Sequence, residues 1–265
     1  VDDTFNIPKA RFKDMLRMMI RNRFRFKWHS YFRCQYADEE MVELMKESGC
    51  EGVFLGIESG NHQILKNMNK AADPEKYLRG IQLLKENEIT TFGNFIIGFP
   101  GETGETVRDT VNFIETGGLD FFRAQLWYCE RITPIFQQKD KYDIQGDNFE
   151  WSHATMDTQG ACEIVEDIFH SVKRATWIPQ YNFDFDSLWH LVHRGMSIPQ
   201  IKEFLNGFNA AVKEKLANPA QSEASYEALQ RIQAACVLDS PGEDATPLVE
   251  IEQPATDYSE AEFDF

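Results

Sequence analysis

The chain has 265 residues, of which 42% are hydrophobic and 13% aromatic, enough to pack one or two domains. Its formal net charge is −16, and from Ile232 to Phe265 nine acidic residues occur without one Lys or Arg. This balance argues against a nucleic-acid partner, which needs basic surface for phosphates, and no run of about 18 apolar residues suggests a membrane one. The five cysteines (34, 50, 129, 162 and 236) are scattered and odd in number, which predicts a reducing, cytoplasmic setting rather than a disulfide framework.

In chain order, Val1 reads as the last residue of a strand, followed by Asp2-Asp3-Thr4 at its end. Ile7 to Arg23 has helical spacing at Phe12, Leu16, Met19 and Ile20. The basic cluster Arg17 to Lys27 reads as a helix face leading into a strand, Phe24 to Phe32, which alternates apolar and polar residues. Ala37 to Gly49 predicts a helix with Asp38 as cap and Gly49 as stop. Cys50 to Ile57 is a short buried strand, Pro74 to Asn87 a helix, and Thr90 to Phe99 a strand. Glu105 to Gly118 is a helix and Leu119 to Tyr128 a last strand. Strands and helices in single file predict parallel pairing, in a doubly wound sheet or a TIM-type barrel. Either fold puts its chemistry at the carboxyl ends of the strands.

After Thr133-Pro134 the rhythm breaks. Phe149 to Thr158 has turn character, and helices are expected over Ala161 to Lys173, Ser187 to Arg194, Ile198 to Lys215 and Tyr226 to Ala235. Three regions result: 1–134, a helical and aromatic region 135–216, and an acidic tail 217–265 of disorder-prone composition.

Each strand-end group has two readings. Asp2 and Asp3 suit a solvated turn or a ligand site. Arg33 suits open surface or a carboxylate partner. In Glu58-Ser59-Gly60-Asn61, Ser59 or Asn61 can cap the next helix, whereas Glu58 either faces water or meets a hydrogen-bond donor. The turn Gly98 to Thr103 can bring backbone close to a ligand, or Glu102 and Thr103 can simply cap a helix. It lacks the Gly-Lys-Ser/Thr ending of a phosphate loop. The six histidines show no zinc-site spacing, so no metal ligands are assigned.

The order "DDTF", a strand ending at Arg33, "GCEGVFLGIESGNHQILKNMNK" and "FIIGFPGET" resembles the radical S-adenosylmethionine (SAM) superfamily, most of all its cobalamin-dependent class. The resemblance spans Val1 to Pro134. It implies an α/β fold: a partial (β/α) TIM-like barrel holding strands two to six, with a mainly helical carboxyl-terminal extension. By the same resemblance Asp2 and Asp3 meet the SAM amino group, and Arg33, Glu58 and Ser59 lie near its carboxylate and ribose. Ile97, Gly98 and Phe99 flank the adenine together with Trp127 and Tyr128. Trp127 to Asp157 and Thr176 to Ser197 are similar to the group around the phosphinothricin P-methyltransferase, which points to Trp151 and His153 as substrate-side residues.

The family's CxxxCxxC motif and its cobalamin-binding domain are not in this sequence. The resemblance therefore implies a preceding segment that carries the cobalamin domain, the first strand and the loop of a 4Fe–4S cluster. This chain alone is expected to be inactive. The function implied for the whole protein is methylation of a small natural-product intermediate through a 5′-deoxyadenosyl radical. Two alternatives stay open: a non-catalytic fragment or split-gene partner, and a radical SAM enzyme that does not methylate.

Overall fold

A computed structural model describes residues 6–179, 185–220 and 223–237. Asp2 and Asp3 lie outside the described residues. Helix α1 (Lys9–Arg21) leads to β1 (Trp28–Tyr31), α2 (Glu39–Glu47) and β2 (Cys50–Glu58). Then come α3 (His62–Asn67), α4 (Pro74–Glu86), β3 (Thr90–Ile97), α5 (Gly104–Thr116) and β4 (Phe121–Leu126). Local chemistry explains the helix starts. Asp38 accepts from the Met41 amide at 3.0 Å and Asp73 from the Lys76 amide at 2.9 Å. Thr103 and Thr106 form a reciprocal capping box. Gly49, at φ +97°, releases the chain from α2 into β2.

The rest of the chain supplies α6 (Lys139–Tyr142), the strands β5 (Gln145–Asp147), β6 (Glu150–His153) and β7 (Met156–Asp157), and α7 (Thr158–Ser171). They are followed by β8 (Thr176–Trp177), α8 (Phe185–His193), α9 (Ile198–Ala217) and α10 (Tyr226–Ala235). The main sheet runs β1-β2-β3-β4-β8, every neighbour parallel, and β5-β6-β7 form a small antiparallel sheet. This is the α/β partial barrel that the resemblance implies, with the parallel pairing that the alternation of elements predicts and helices in its carboxyl-terminal part.

Three expectations need correction. The first strand is only Trp28–Tyr31, because residues 21–27 are exposed and Phe24 packs on Phe26 instead of pairing in the sheet. Leu119 to Tyr128 is not the last strand, because Thr176–Trp177 pairs with Phe121 and Phe122. Phe149 to Thr158 is not a turn region, because it carries β6 and β7.

The period of two along each strand divides the apolar residues between two faces. Val53, Leu55, Ile57, Phe95, Ile97 and Phe122 point outward, under the helices. Phe54, Phe92 and Phe121 point into the concave face, where Phe185, Leu188 and Trp189 of α8 and Ile201 and Leu205 of α9 cover them. The register places Phe54 beside Phe92 and Phe92 beside Phe121, so the three rings form one layer of the barrel interior. Gly52 lies on the same face, below Phe54. A Cβ there would stand 2.1 Å from the Trp189 ring, so α8 can seal this end of the barrel only because residue 52 has no side chain.

Candidate functional site at the carboxyl ends of the strands

Above the Phe layer the same face turns polar. Gly56 pairs with Asn94 and Asn94 with Arg123. The Arg123 Nε donates to Asn94 Oδ1 at 2.8 Å, and its guanidinium lies 5.4 Å from the Phe54 ring centre and 5.6 Å from that of Phe92. Asn94 Nδ2 donates to Glu58 Oε2 at 3.3 Å, and Lys70 Nζ reaches Glu58 Oε1 at 3.0 Å. One chain of contacts thus crosses three strands: Lys70, Glu58, Asn94, Arg123.

Glu58 is held there by its backbone. The register slips between Gly56 and Glu58, a bulge that adds one residue to β2, and Glu58 takes φ +68°. For a residue with a Cβ this left-handed conformation is uncommon and strained. The side chain folds back over Gly56, where a Cβ would meet Glu58 Oε1 at 2.9 Å. The question of whether Glu58 faces water or donors is settled: it meets two donors on the barrel's inner face. Ser59 does something different. It is fully buried, its hydroxyl lies 3.2 Å from Thr110 Oγ1 and accepts from the Asn61 amide, and so it fastens the β2–α3 turn to α5. Asn61, not Ser59, caps α3.

Beside this network opens a cleft of about 900 Å³. Phe99, Trp127 and Tyr128 line it, together with Ile96 and Gln125 from the inner face one pleat above Asn94 and Arg123. Asn67 and Asn69 face them across the opening. Phe99 and Trp127 pack edge to face, their ring centres 5.7 Å apart. Ile97 points the other way, into the outer core. Arg33 is exposed, tied through its backbone to Asn6, and its guanidinium makes no ion pair among the described residues.

Gly98, Trp151, His153 and Glu102 form the wall behind the cleft. Gly98 has φ +90°, and a Cβ there would lie 2.3 Å from the Trp151 ring. The Trp151 indole N–H donates to the Trp127 carbonyl at 2.9 Å, and the ring stacks on His153 at 5.4 Å. His153 Nε2 lies 3.0 Å from the Gly98 carbonyl oxygen, and Nδ1 is 3.4 Å from the Thr155 amide. Burial lowers the His153 pKa, so the ring is neutral near pH 7, donating from Nε2 and accepting at Nδ1. Trp151 and His153 are buried and outside the cleft lining; they fix the loops that form it.

Of the two cap candidates Glu102 and Thr103, it is Thr103 that caps α5. The Glu102 carboxylate is fully buried and accepts from the Gly98 amide at 2.6 Å, while its Oε1 has no partner among the described residues. Burial raises its pKa to about 7, against the lowering effect of the Gly98 and Phe99 backbone. Asn94, Lys70 and Arg123 are not singled out by the sequence. A signal existed for Asn94: an amide in the middle of the apolar run "TFGNFII", in phase with Phe92 and Ile96.

The cysteines do not suit an iron–sulfur cluster. Cys34, Cys50 and Cys129 are buried far apart in sequence, and burial raises all three thiol pKa values, Cys34 to about 12. Cys162 and Cys236 are exposed and isolated. Among the described residues no group of three His, Cys, Asp or Glu residues is placed to hold a metal ion. No described helix is long and apolar enough to cross a membrane.

Residues 4–114 match the Radical SAM superfamily. The match covers the barrel segment from α1 into α5. The chain is 32% identical over 121 residues to an uncharacterized methyltransferase of Pyrococcus horikoshii, covering 46% of this chain and 26% of that protein. It is 33% identical over 117 residues to the tRNA-2-methylthio-N(6)-dimethylallyladenosine synthase of Clostridium perfringens, covering 42% and 26%. The matched stretch is thus about a quarter of the length of these relatives. In fold, the radical SAM methyltransferase TsrM of Kitasatospora setae, solved with cobalamin and a 4Fe–4S cluster bound, aligns with TM-score 0.56. That alignment covers 88% of this chain and 51% of TsrM at 16% identity.

Proposed function

We propose that this chain is the carboxyl-terminal part of a cytoplasmic, cobalamin-dependent radical SAM methyltransferase, and that its strand-end cleft holds the nucleoside end of SAM. The observation that carries this reading is Glu58, aimed inward from a strained backbone, next to a cleft lined by Phe99, Trp127 and Tyr128. Aromatic faces and amide groups suit a purine, and a carboxylate suits the two hydroxyls of a ribose. Gln125, Asn67 and Asn69 offer the further donors and acceptors that a base edge requires.

The chain's own residues have defined tasks. Glu58 accepts from ribose hydroxyls while Lys70 and Asn94 hold its orientation. Phe99 and Trp127 shield the site from water. Trp151, His153 and Glu102 keep the two strand-end loops in place. Arg33, free on the rim among the described residues, pairs with the ligand's carboxylate. Bound SAM supplies the hydrogen-abstracting and methyl-donating chemistry, and the protein supplies orientation and a dry surround. The cluster is outside this set of residues, and the preceding segment of the whole protein would carry it with cobalamin. The acceptor is a small molecule of a natural-product pathway.

The test is anaerobic reconstitution of the whole protein with iron, sulfide and cobalamin, followed by methyl-labelled SAM. SAM cleavage that falls in Glu58→Ala, with label passing into a small-molecule product, is the expected result. A reconstituted protein that holds iron but neither binds nor cleaves SAM refutes the proposal. Cleavage without label transfer overturns the methyltransferase part alone.

A further inference from the structure

The loop after α1 is unlike the rest of this acidic protein. Residues 21–27, "RNRFRFK", are all exposed. Arg21, Arg23, Arg25 and Lys27 make no ion pair among the described residues, whereas Arg17, one turn before Arg21, pairs with Glu40, and Lys13, two turns before it, with Asp38 and Glu40. Phe24 and Phe26 are 46% and 52% exposed, with ring centres 5.5 Å apart. Four uncompensated cations and two open rings within seven residues are a surface that lacks its counterpart. The nearby acids are engaged elsewhere: Glu51 lies 3.0 Å from His193, and Glu88 lies 3.3 Å from Lys46.

The described structure ends at this same corner. The Val237 carbonyl accepts from Gln200 Nε2 at 2.9 Å, near the start of α9. Ile198, two residues earlier, lines one small hollow together with Lys27. From that point the sequence continues through 238–265, where all nine acidic residues of the carboxyl-terminal stretch lie, with no basic residue and with Tyr258, Phe263 and Phe265 among them.

We propose that the acidic segment 238–265 is the occupant of the 21–27 surface within the same molecule. Carboxylates meet the three arginines and Lys27, and the segment's aromatic residues pack on Phe24 and Phe26. The tether makes this contact intramolecular, which gives weak ion pairs an effective concentration on the order of millimolar. Exposed ion pairs are individually small and are screened by salt, so the contact acts as a salt-sensitive cover. It lies at the amino ends of the strands, away from the cleft, and it does not depend on the reading of the cleft.

The test uses the full chain and a variant with the nine acids of 238–265 changed to their amides. Carbodiimide cross-linking with mass spectrometry should join Lys27 to acids of the segment in the unaltered chain, independent of protein concentration. Trypsin cleavage after Arg23, Arg25 and Lys27 should be about fivefold faster in the amide variant, the size a few exposed ion pairs supply. Raising salt from about 0.05 to 0.5 M should have the same effect on the unaltered chain. Absence of Lys27 cross-links to the segment, with equal cleavage rates, overturns the proposal. So do cross-links that grow with protein concentration, and so does protection that appears only on addition of RNA.

Discussion

The same strands end in opposite chemistry. At their amino ends the concave face carries Gly52 under Trp189, then the layer of Phe54, Phe92 and Phe121, sealed by α8 and α9. At their carboxyl ends it carries Glu58, Asn94 and Arg123, joined by hydrogen bonds, with a cleft one pleat above at Ile96 and Gln125. A rise of two residues along each strand separates the layers, roughly 7 Å. The closed end gains stability from burial. The open end keeps a strained Glu58 and a hydrogen-bonded set of polar side chains, a composition that packing alone does not select.

The contrast can be broken most forcefully at the sealed end. Trp189→Ala should cost about 3–5 kcal/mol in urea or guanidinium unfolding, because it empties a fully buried aromatic site. Trp189→Phe should cost only about 1–2 kcal/mol, since the buried indole N–H has no partner among the described residues. A cost for Trp189→Ala below 1 kcal/mol, on the order of a surface change, would mean that α8 is not the seal. Next in size, Gly52→Ala should destabilise by about 1–3 kcal/mol through its overlap with the Trp189 ring. Combined with Trp189→Leu it should cost less than the sum of the two changes. Strict additivity would show that residue 52 and the ring do not touch.

A third experiment addresses the wall behind the cleft. Glu102 holds its proton to about pH 7 when folded, against an ordinary value of 4.5. The unfolded chain therefore binds fewer protons within that window, and stability falls as pH rises from 4.5 to 7. The loss should be about 3 kcal/mol at completion, and Glu102→Gln should remove this component of the slope. A slope unchanged in Glu102→Gln would assign it to other groups. The smallest effect is expected at the lip. Glu58→Gly relieves the left-handed backbone but gives up the Lys70 and Asn94 contacts, so stability should stay within about 1 kcal/mol of the parent. A large loss would make Glu58 a structural residue and remove the contrast between the two ends.

Much of the first half of the fold was legible because each element carries its own signal. Asp38, Asp73 and Thr103 mark helix starts, and the runs into Ile57 and Ile97 mark buried strands. β8 was not legible, because two residues have no periodicity and the strand exists only where it meets Phe121 and Phe122. Nor was the small sheet, in which Gly146 within β5 and Asn148 in the β5–β6 turn take positive φ inside a polar stretch. In the site, Phe99, Trp127 and Tyr128 could be read as strand-end residues, and they line one cleft. Lys70 and Arg123 could not, since nothing local ties them to Glu58 and Asn94. Aromatic residues gave the least direction: in sequence Phe185 and Trp189 suit a core or a pocket lining, and their partners in the sheet lie more than 60 residues away.

That separation imposes an order on synthesis. When the ribosome has delivered the strands through Phe121, their outer face can already pack against α2, α4 and α5, but the inner layer of Phe54, Phe92 and Phe121 has no cover. Cover arrives only with Phe185 to Leu205. The nascent chain therefore carries an open aromatic surface for some 60 to 80 residues of translation, roughly 3–16 s at ordinary elongation rates. During that interval it is a natural client for a chaperone, and a ribosome stalled before α8 would release a sheet with its interior facing water.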